Sequence, residues 1–178
     1  MDLGLRGRVA LVTGSSQGIG RATAILFAQE GARIAITYRN NRYKAENVAA
    51  SATHAALGSM RRHRWGRIVT LSSGLAVRGA AGSTAYSAAK SALHGMTRAL
   101  FAELAAEGIL INVVMAGLTL TEGVKARMSP RSLEQAAKSS PLRRLPAPEE
   151  VASTIVFLAS AANTTVNGEI VLSSGGHS

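Results

Sequence analysis

The chain has 178 residues, of which 47% are hydrophobic and 17% charged, with 20 Lys and Arg against 10 Asp and Glu and no cysteine. This length and composition predict one domain with a sizeable core and argue against disorder. The lack of cysteine excludes disulfides and thiolate chemistry, and no metal site is predicted. No leader opens the chain and no apolar stretch is long enough to span a bilayer, so we expect a soluble protein of the cytoplasm.

Strand-like and helix-like segments alternate along the chain. The predicted strands are 8–13, 33–38, 67–72, 109–115 and 169–173, and the predicted helices are 18–30, 42–60, 86–107 and 148–160. Such alternation is typical of an α/β fold in which helices cover both faces of a doubly wound parallel sheet.

A glycine-rich turn at residues 13–20, with the sequence TGSSQGIG, joins the first predicted strand to the first helix. In a parallel α/β protein, a turn in this place aims backbone N–H groups and the positive end of a helix at a phosphate. The three glycines have spacings of four and two, which is looser than the commoner dinucleotide-binding pattern. The glycines alone therefore leave both a pyrophosphate site and a plain surface turn open.

The end of the second predicted strand favours NADP(H) over NAD(H). A carboxylate there would bind the adenosine ribose hydroxyls, whereas an arginine can meet a 2′-phosphate. Arg39 and Arg42 follow this strand, and no carboxylate is in reach. An ordinary charged surface would also account for the two arginines.

The densest positive charge lies at residues 61–67, where Arg61, Arg62, Arg64 and Arg67 surround Trp65. Three interpretations remain open: the solvated end of a helix, a docking patch for a phosphopantetheine-bearing carrier or coenzyme, and a nucleic-acid contact. No series of aromatic residues accompanies the cluster, which argues against base stacking and hence against nucleic acid.

Tyr86 and Lys90 lie four residues apart in a predicted helix and therefore share one face. A nearby ammonium favours the phenolate and lowers the pKa of a tyrosine hydroxyl from its reference value of about 10. Such a pair can give or take a proton near neutral pH, although the spacing also arises by chance. Ser73 lies thirteen residues before Tyr86, at the end of a predicted strand.

Together, the motif YSAAK at residues 86–90, Ser73 before it and the glycine turn at 13–20 resemble the short-chain dehydrogenase/reductase family. Residues 112–121 resemble the family's strand-to-lid motif, and residues 167–176 resemble its usual ending. These elements occur in family order over most of the chain. The resemblance implies a Rossmann-like fold, a nicotinamide cofactor and reduction of a carbonyl compound.

The resemblance also implies roles for individual residues. Tyr86 would be the general acid, Ser73 would orient the substrate oxygen, and Lys90 would lower the pKa of Tyr86 and bond the nicotinamide ribose. The cofactor would be held by Gly14, Ser16, Gly18, Ile19 and Gly20 at the pyrophosphate, Arg39 at the 2′-phosphate and Thr121 at the carboxamide.

The chain departs from the family between Tyr38 and Arg67, where it has 28 residues. That length suffices for one helix and its turns, so we expect the family's third and fourth strands, its adenine-contacting aspartate and its catalytic asparagine to be absent. If the 42–60 helix crosses from the second strand past the first, the five remaining strands can pair in the flavodoxin-like order 2-1-3-4-5. Ala116 stands where the lid motif usually has proline.

Two functions remain open. One is NADPH-dependent reduction of a hydrophobic carbonyl substrate, free or tethered to a carrier protein or coenzyme, under a lid at residues 118–148 that mixes apolar and basic residues. The other is a non-reducing descendant that binds a partner or catalyses a non-redox reaction such as cyclisation or dehydration. We also expect a homodimer or homotetramer, because apolar residues occupy more than one face of the helix 86–107.

Overall fold

The computed structural model describes residues 1–36 and 45–176, so Arg39 and Arg42 lie outside the described residues. Its strands are β1 (Val9–Val12), β2 (Arg33–Ile36), β3 (Gly66–Ser73), β4 (Ile109–Ala116) and β5 (Ile170–Ser173). Its α-helices are α1 (Gly18–Gln29), α2 (Ala45–His63), α3 (Leu75–Arg78), α4 (Thr84–Leu104), α5 (Glu122–Lys125), α6 (Pro130–Ser139) and α7 (Pro148–Leu158). One 3₁₀ turn, Ala105–Glu107, extends α4.

The strands pair in parallel, and helices connect them. β1 pairs with β2, β3 with β4, and β4 with β5, each in parallel register. Parallel strands need crossover connections, which the helices supply. The predicted α/β class with a Rossmann-like parallel architecture is confirmed.

The predicted pairing of β3 with β1 is wrong. β1 and β2 form one sheet, and β3, β4 and β5 form another in the order β3-β4-β5. The reason lies in the helices: α1 packs along α7, while α4 packs against β3 and β4. These separate helix contacts position the two sheets, and among the described residues β1 and β3 do not pair.

The core is centred on β4. Ile109, Ile111, Val113 and Val114 have no exposed surface, because α4 and α7 pack on this strand while β3 and β5 pair with its two edges. In β1, by contrast, the Val9 side chain is 66% exposed. The three-stranded sheet is therefore the central body of the fold.

The two-stranded sheet is attached through its helix. Phe27 of α1 and Val156 of α7 belong to one buried cluster, together with Leu5 and Val12. Burying side chains of this size contributes about 1.5–3 kcal/mol each. The β1–α1 unit is thus held by helix packing and not by a strand ladder to β3.

The predicted lid contains two helices that the sequence analysis did not place. Thr121 caps α5 by accepting the N–H of Val124, and Ser129 caps α6 by accepting the N–H of Ser132. Pro130 fills the first position of α6, where its missing N–H costs nothing. These caps fix the segment that faces the glycine turn.

Candidate active site

The glycine turn has a backbone that larger residues would not allow. Gly14 has a φ of +66°, which is the left-handed region favoured by glycine. A Cβ on Gly20 would collide with the Gly14 carbonyl oxygen and lie 3.2 Å from the Ser15 Cα. The first turn of α1 therefore packs directly on the backbone of the loop that precedes it.

The start of α1 is open to an anion. Gln17 occupies the N-cap position without a side-chain hydrogen bond, and the first turn carries no acidic residue. The first N–H groups of a helix have no partner within the helix and carry its positive end. This helix end can therefore receive the oxygens of a phosphate.

A cleft of about 270 Å³ lies in front of this helix end. Several residues predicted to hold the cofactor line it, namely Gly14, Gly18, Ile19, Gly20 and Thr121. Ser16, also predicted, is exposed and does not line the cleft. Leu71 of β3 forms the opposite wall, so the cleft lies between the carboxyl ends of β1 and β3, where parallel α/β proteins bind ligands.

Arg127 also lines this cleft, and it was not among the predicted site residues. It lies just after α5, and its guanidinium approaches Gly123. The sequence indicated a basic lid but not which arginine would face the glycine turn, because that depends on the short helix α5. At the mouth, Arg21 and Glu122 are 3.9 Å apart and largely exposed, so this ion pair contributes little.

Tyr86 and Lys90 come together as predicted from their spacing. The Lys90 Nζ lies 5.8 Å from the centroid of the Tyr86 ring, within the range of a cation–π contact. The same ammonium donates a hydrogen bond of 2.6 Å to the Leu71 carbonyl oxygen. Burial lowers the pKa of Lys90 below its usual value. Lys90 thus links Tyr86, which is 48% exposed, to a residue of the cleft wall.

Ser73 ends β3, two residues after Leu71. Its Oγ accepts the N–H of Leu75 at 3.3 Å, which leaves the hydroxyl proton available for another acceptor. Among the described residues, no hydrogen bond joins Ser73 to Tyr86. The structure therefore brings Tyr86 and Lys90 into direct contact, while Ser73 lies on the strand to which Lys90 is bonded.

His94 was not predicted, although it continues the Tyr86–Lys90 face by one more helical turn. Its Nε2 lies 2.8 Å from the Ser72 Oγ, and Ser72 in turn donates to the Lys90 carbonyl oxygen at 3.2 Å. Burial, with a smaller effect from Arg98, lowers the pKa of His94. These bonds fix α4 against β3 and so fix the position of Lys90.

The basic cluster at residues 61–67 lies at the other end of β3 from Ser73. The strand has eight residues, which at about 3.3 Å per residue places the cluster roughly 25 Å from the site. Arg67 donates to the carbonyl oxygens of Ser160 and Asn163, and Arg61 pairs with Glu107 at 2.7 Å. Arg67 therefore also holds main-chain segments together.

Two family models match the chain. One described as enoyl-(acyl carrier protein) reductase matches residues 47–178, and one described as short chain dehydrogenase matches residues 8–54. The chain belongs to the short-chain dehydrogenase/reductase family. Among the described residues of this family member, no helix has the length and apolar character needed to cross a membrane.

Three relatives illustrate the similarity. A 3-oxoacyl-[acyl-carrier-protein] reductase of Aquifex aeolicus is 28% identical in an alignment of 247 positions, which is longer than this chain and includes 99% of each protein. An acetoacetyl-CoA reductase of Cupriavidus necator is 39% identical over 62% of this chain and 44% of that protein. A 3-oxoacyl (acyl-carrier-protein) reductase of Agrobacterium tumefaciens, solved with NADP bound, is 23% identical with a TM-score of 0.81, covering 99% of this chain and 96% of that chain. Since this chain has only 178 residues, it is a shortened member of the family.

Proposed function

We propose that this chain reduces the keto group of a 3-oxoacyl thioester with NADPH, in the cytoplasm, with Tyr86 as the proton donor. The main support is the position of the Lys90 ammonium. It contacts the Tyr86 ring and donates a hydrogen bond to the carbonyl oxygen of Leu71, a residue in the wall of the glycine-lined cleft. The relatives named as 3-oxoacyl-carrier-protein and acetoacetyl-CoA reductases support the same class of reaction.

The residues of the cleft fit a dinucleotide phosphate. Gly14 and Gly18 line the cleft without side chains, which leaves room that a Cβ would fill. The positive end of α1 faces the cleft, and the Arg127 side chain adds a cation to its lining. A cleft of about 270 Å³ suits the pyrophosphate and an adjoining ribose and not a whole dinucleotide. Arg39 and Arg42 of the sequence would meet the 2′-phosphate, which favours NADPH over NADH.

Bound NADPH would supply the hydride. Tyr86 would give its hydroxyl proton to the carbonyl oxygen, and the Lys90 ammonium would stabilise the phenolate that remains. An ammonium has three N–H donors; one is on the Leu71 carbonyl, and the other two remain for the ribose hydroxyls. The free proton of Ser73 would bond the substrate oxygen and orient it.

We place the tether of the substrate near the lid and not at residues 61–67. The lid carries Arg127, Arg131 and Arg143 beside apolar residues of α5 and α6, which together suit an acyl chain on an acidic carrier or coenzyme. The cluster at residues 61–67 lies too far from Ser73 to serve the same substrate directly.

We further propose that the chain is a single domain without the family's third and fourth strands, adenine aspartate and asparagine, and that two or four copies associate. An apolar groove between α2 and α4, lined by Leu57, Met96 and Leu100, supports association through these helices. Sedimentation of the protein with Met96→Glu, compared with the parent, tests this: dissociation is expected, and an unchanged assembly would contradict it.

A non-reducing function is the second candidate. It is favoured by one observation: Tyr86 is 48% exposed, whereas catalysis of hydride transfer benefits from exclusion of water. A binding protein or a cyclase or dehydratase would keep the cleft without turnover of NADPH.

Loss of NADPH absorbance with acetoacetyl-CoA as the substrate separates the two functions. We expect turnover by the parent, a loss of about 10²- to 10⁴-fold in kcat for Tyr86→Phe, and unchanged NADPH binding by that variant. Turnover that survives Tyr86→Phe would reject the proton-donor role, and NADPH binding without any turnover would favour the second candidate.

A further inference from the structure

Within residues 1–36 and 45–176, no strand lies beside one edge of β3. The N–H of Gly66 bonds the Gly108 carbonyl, which shows that even-numbered residues of β3 turn their backbone groups to β4. Because this direction alternates along a strand, Val69 and Leu71 turn theirs to the opposite edge. Among the described residues, no strand pairs with that edge, and its one filled acceptor is the Leu71 carbonyl, which Lys90 occupies.

Among the residues that the structure describes, β1 pairs with a strand on one edge alone. The N–H of Arg33 bonds the Arg8 carbonyl, so the even-numbered residues of β1 face β2, and Val9 and Leu11 turn their backbone groups away from it. The side chains of Val9 and Leu11 are 66% and 50% exposed. β1 therefore presents unpaired backbone groups and uncovered apolar side chains within the part of the chain that the structure describes.

These two edges face each other and run in the same direction. Near the amino ends of the strands, the Arg8 guanidinium lies 4.1 Å from the centroid of Trp65, which directly precedes β3. Near the carboxyl ends, Gly14 and Leu71 line the same cleft. The space between the open edges of β1 and β3, which we call the slot, is thus bounded at both ends and opens into the candidate active site.

The chemistry of the slot defines what can fill it. Both walls offer N–H and C=O groups in alternation, and only an extended polypeptide returns matching groups on both of its sides. An inserted strand would give these unpaired backbone groups hydrogen-bond partners in a paired sheet. The apolar side chains of Val9, Leu11 and Val69 favour apolar side chains in that strand.

The amino end of the slot is positively charged. Arg8 and Arg67 both lie over Trp65, at 4.1 and 5.1 Å from its ring centroid. Arg67 donates to main-chain carbonyl oxygens, and neither arginine forms an ion pair with a carboxylate among the described residues. Burial and the nearby Arg8 lower the pKa of Arg67, which is consistent with two uncompensated cations. An acidic group at the amino end of the inserted strand would complement them.

We propose that the slot binds an extended segment of a partner protein, about five residues long, apolar at its centre and acidic at its amino end, as a parallel strand between β1 and β3. This binding would join the two sheets into one and place the side chains of the new strand beside Val9 and Leu11. It is separate from the proposed reduction, because the strand would pair with the backbone of Val9, Leu11 and Val69 and leave the Leu71 carbonyl to Lys90.

A synthetic peptide tests the proposal on the full chain. The probe is a blocked peptide with two aspartates followed by alternating valine and threonine, and its matched control is N-methylated at alternate backbone amides, which keeps the charge and composition. Trp65 is the single tryptophan of the chain, so its fluorescence reports occupancy of the slot. We expect saturable binding, at least tenfold weaker for the control, with slowed amide exchange at Val9, Leu11 and Val69.

Two results would overturn the proposal. Equal binding of both peptides would show that backbone pairing is not involved. Protection of the same amides by self-association, without peptide, would make a second copy of the chain the occupant.

Variants of the protein test the charge at the amino end separately. Arg8→Gln should weaken binding of the aspartate peptide about fivefold and leave an asparagine version unchanged, whereas the exposed Arg6, as Arg6→Gln, serves as the matched control and should have no effect. Equal losses in both variants would assign the attraction to net charge alone and reject the proposed orientation.

Discussion

The same substitution at two helical glycines should have different effects on stability. Alanine in place of glycine inside a helix stabilises it by about 1 kcal/mol. At Gly95, in the middle of α4, a Cβ would meet no heavy atom within 4 Å, so Gly95→Ala should show this gain. At Gly20 the Cβ would collide with the Gly14 carbonyl oxygen and come within 3.2 Å of the Ser15 Cα.

These neighbours of Gly20 are backbone atoms that cannot rotate away, and such overpacking costs about 1–3 kcal/mol. The cost cancels or exceeds the helical gain, so Gly20→Ala should be less stable than Gly95→Ala by about 1–3 kcal/mol. For a chain of this length that difference corresponds to roughly 2–12 °C in Tm. Gly20→Ala should also weaken NADPH binding, because the loop must move to relieve the collision.

Urea unfolding followed by circular dichroism measures both free energies of unfolding, and Gly95→Ala serves as the control for helix propensity. If Gly20→Ala and Gly95→Ala are equally stable, the close approach of α1 to the glycine loop is absent, and the cradle proposed for the pyrophosphate is refuted with it.

Three titrating side chains give further predictions. Because burial lowers the pKa of Lys90 from 10.5, the unfolded chain holds this proton at pH values where the folded chain has released it, so the free energy of unfolding should rise as the pH approaches 10.5. Urea titrations should show that Lys90→Met removes this rise; parallel pH curves would contradict it. The pKa of His94 is also lowered, from 6.5, so the fold should lose stability as the pH falls below 6.5, and His94→Gln should flatten that loss in thermal melts. The pKa of Glu150 is lowered to about 2 by its hydrogen bonds with Arg144 and the Ala147 N–H, so stability from this carboxylate should disappear only between pH 4.5 and about 2. In an NMR titration Arg144→Gln should raise the Glu150 pKa, and an unchanged value would exclude the ion pair.

The sequence predicted the strands and the longer helices outside the lid because the signals for each lie within one short stretch of the chain. The glycine turn and the apolar run after it define α1, and the β-branched run near residues 67–72 defines β3. In the lid, α5 was missed because it is only four residues long. The signal for α6, a serine followed by proline before a helical pattern, was present at Ser129 and Pro130.

The pairing of the strands could not be predicted in the same way. Whether β1 reaches β3 depends on how α1 packs on α7, which no stretch of sequence encodes by itself. The contacts of Arg127 and His94 have the same origin, since each depends on the placement of a helix against another element. The spacing of Tyr86 and Lys90 fixed their contact within one helix, but not the hydrogen bond from Lys90 to the Leu71 carbonyl.

The central proposal is that the glycine cradle at residues 13–20 binds NADPH in a chain shorter than its relatives. A thermal-shift titration with NADPH, with NADH for comparison, tests it most directly. At one hundred times the dissociation constant the ligand should stabilise the protein by about 2.7 kcal/mol, or roughly 5–10 °C in Tm, with NADH requiring higher concentrations. An unchanged Tm at millimolar NADPH would contradict the claim.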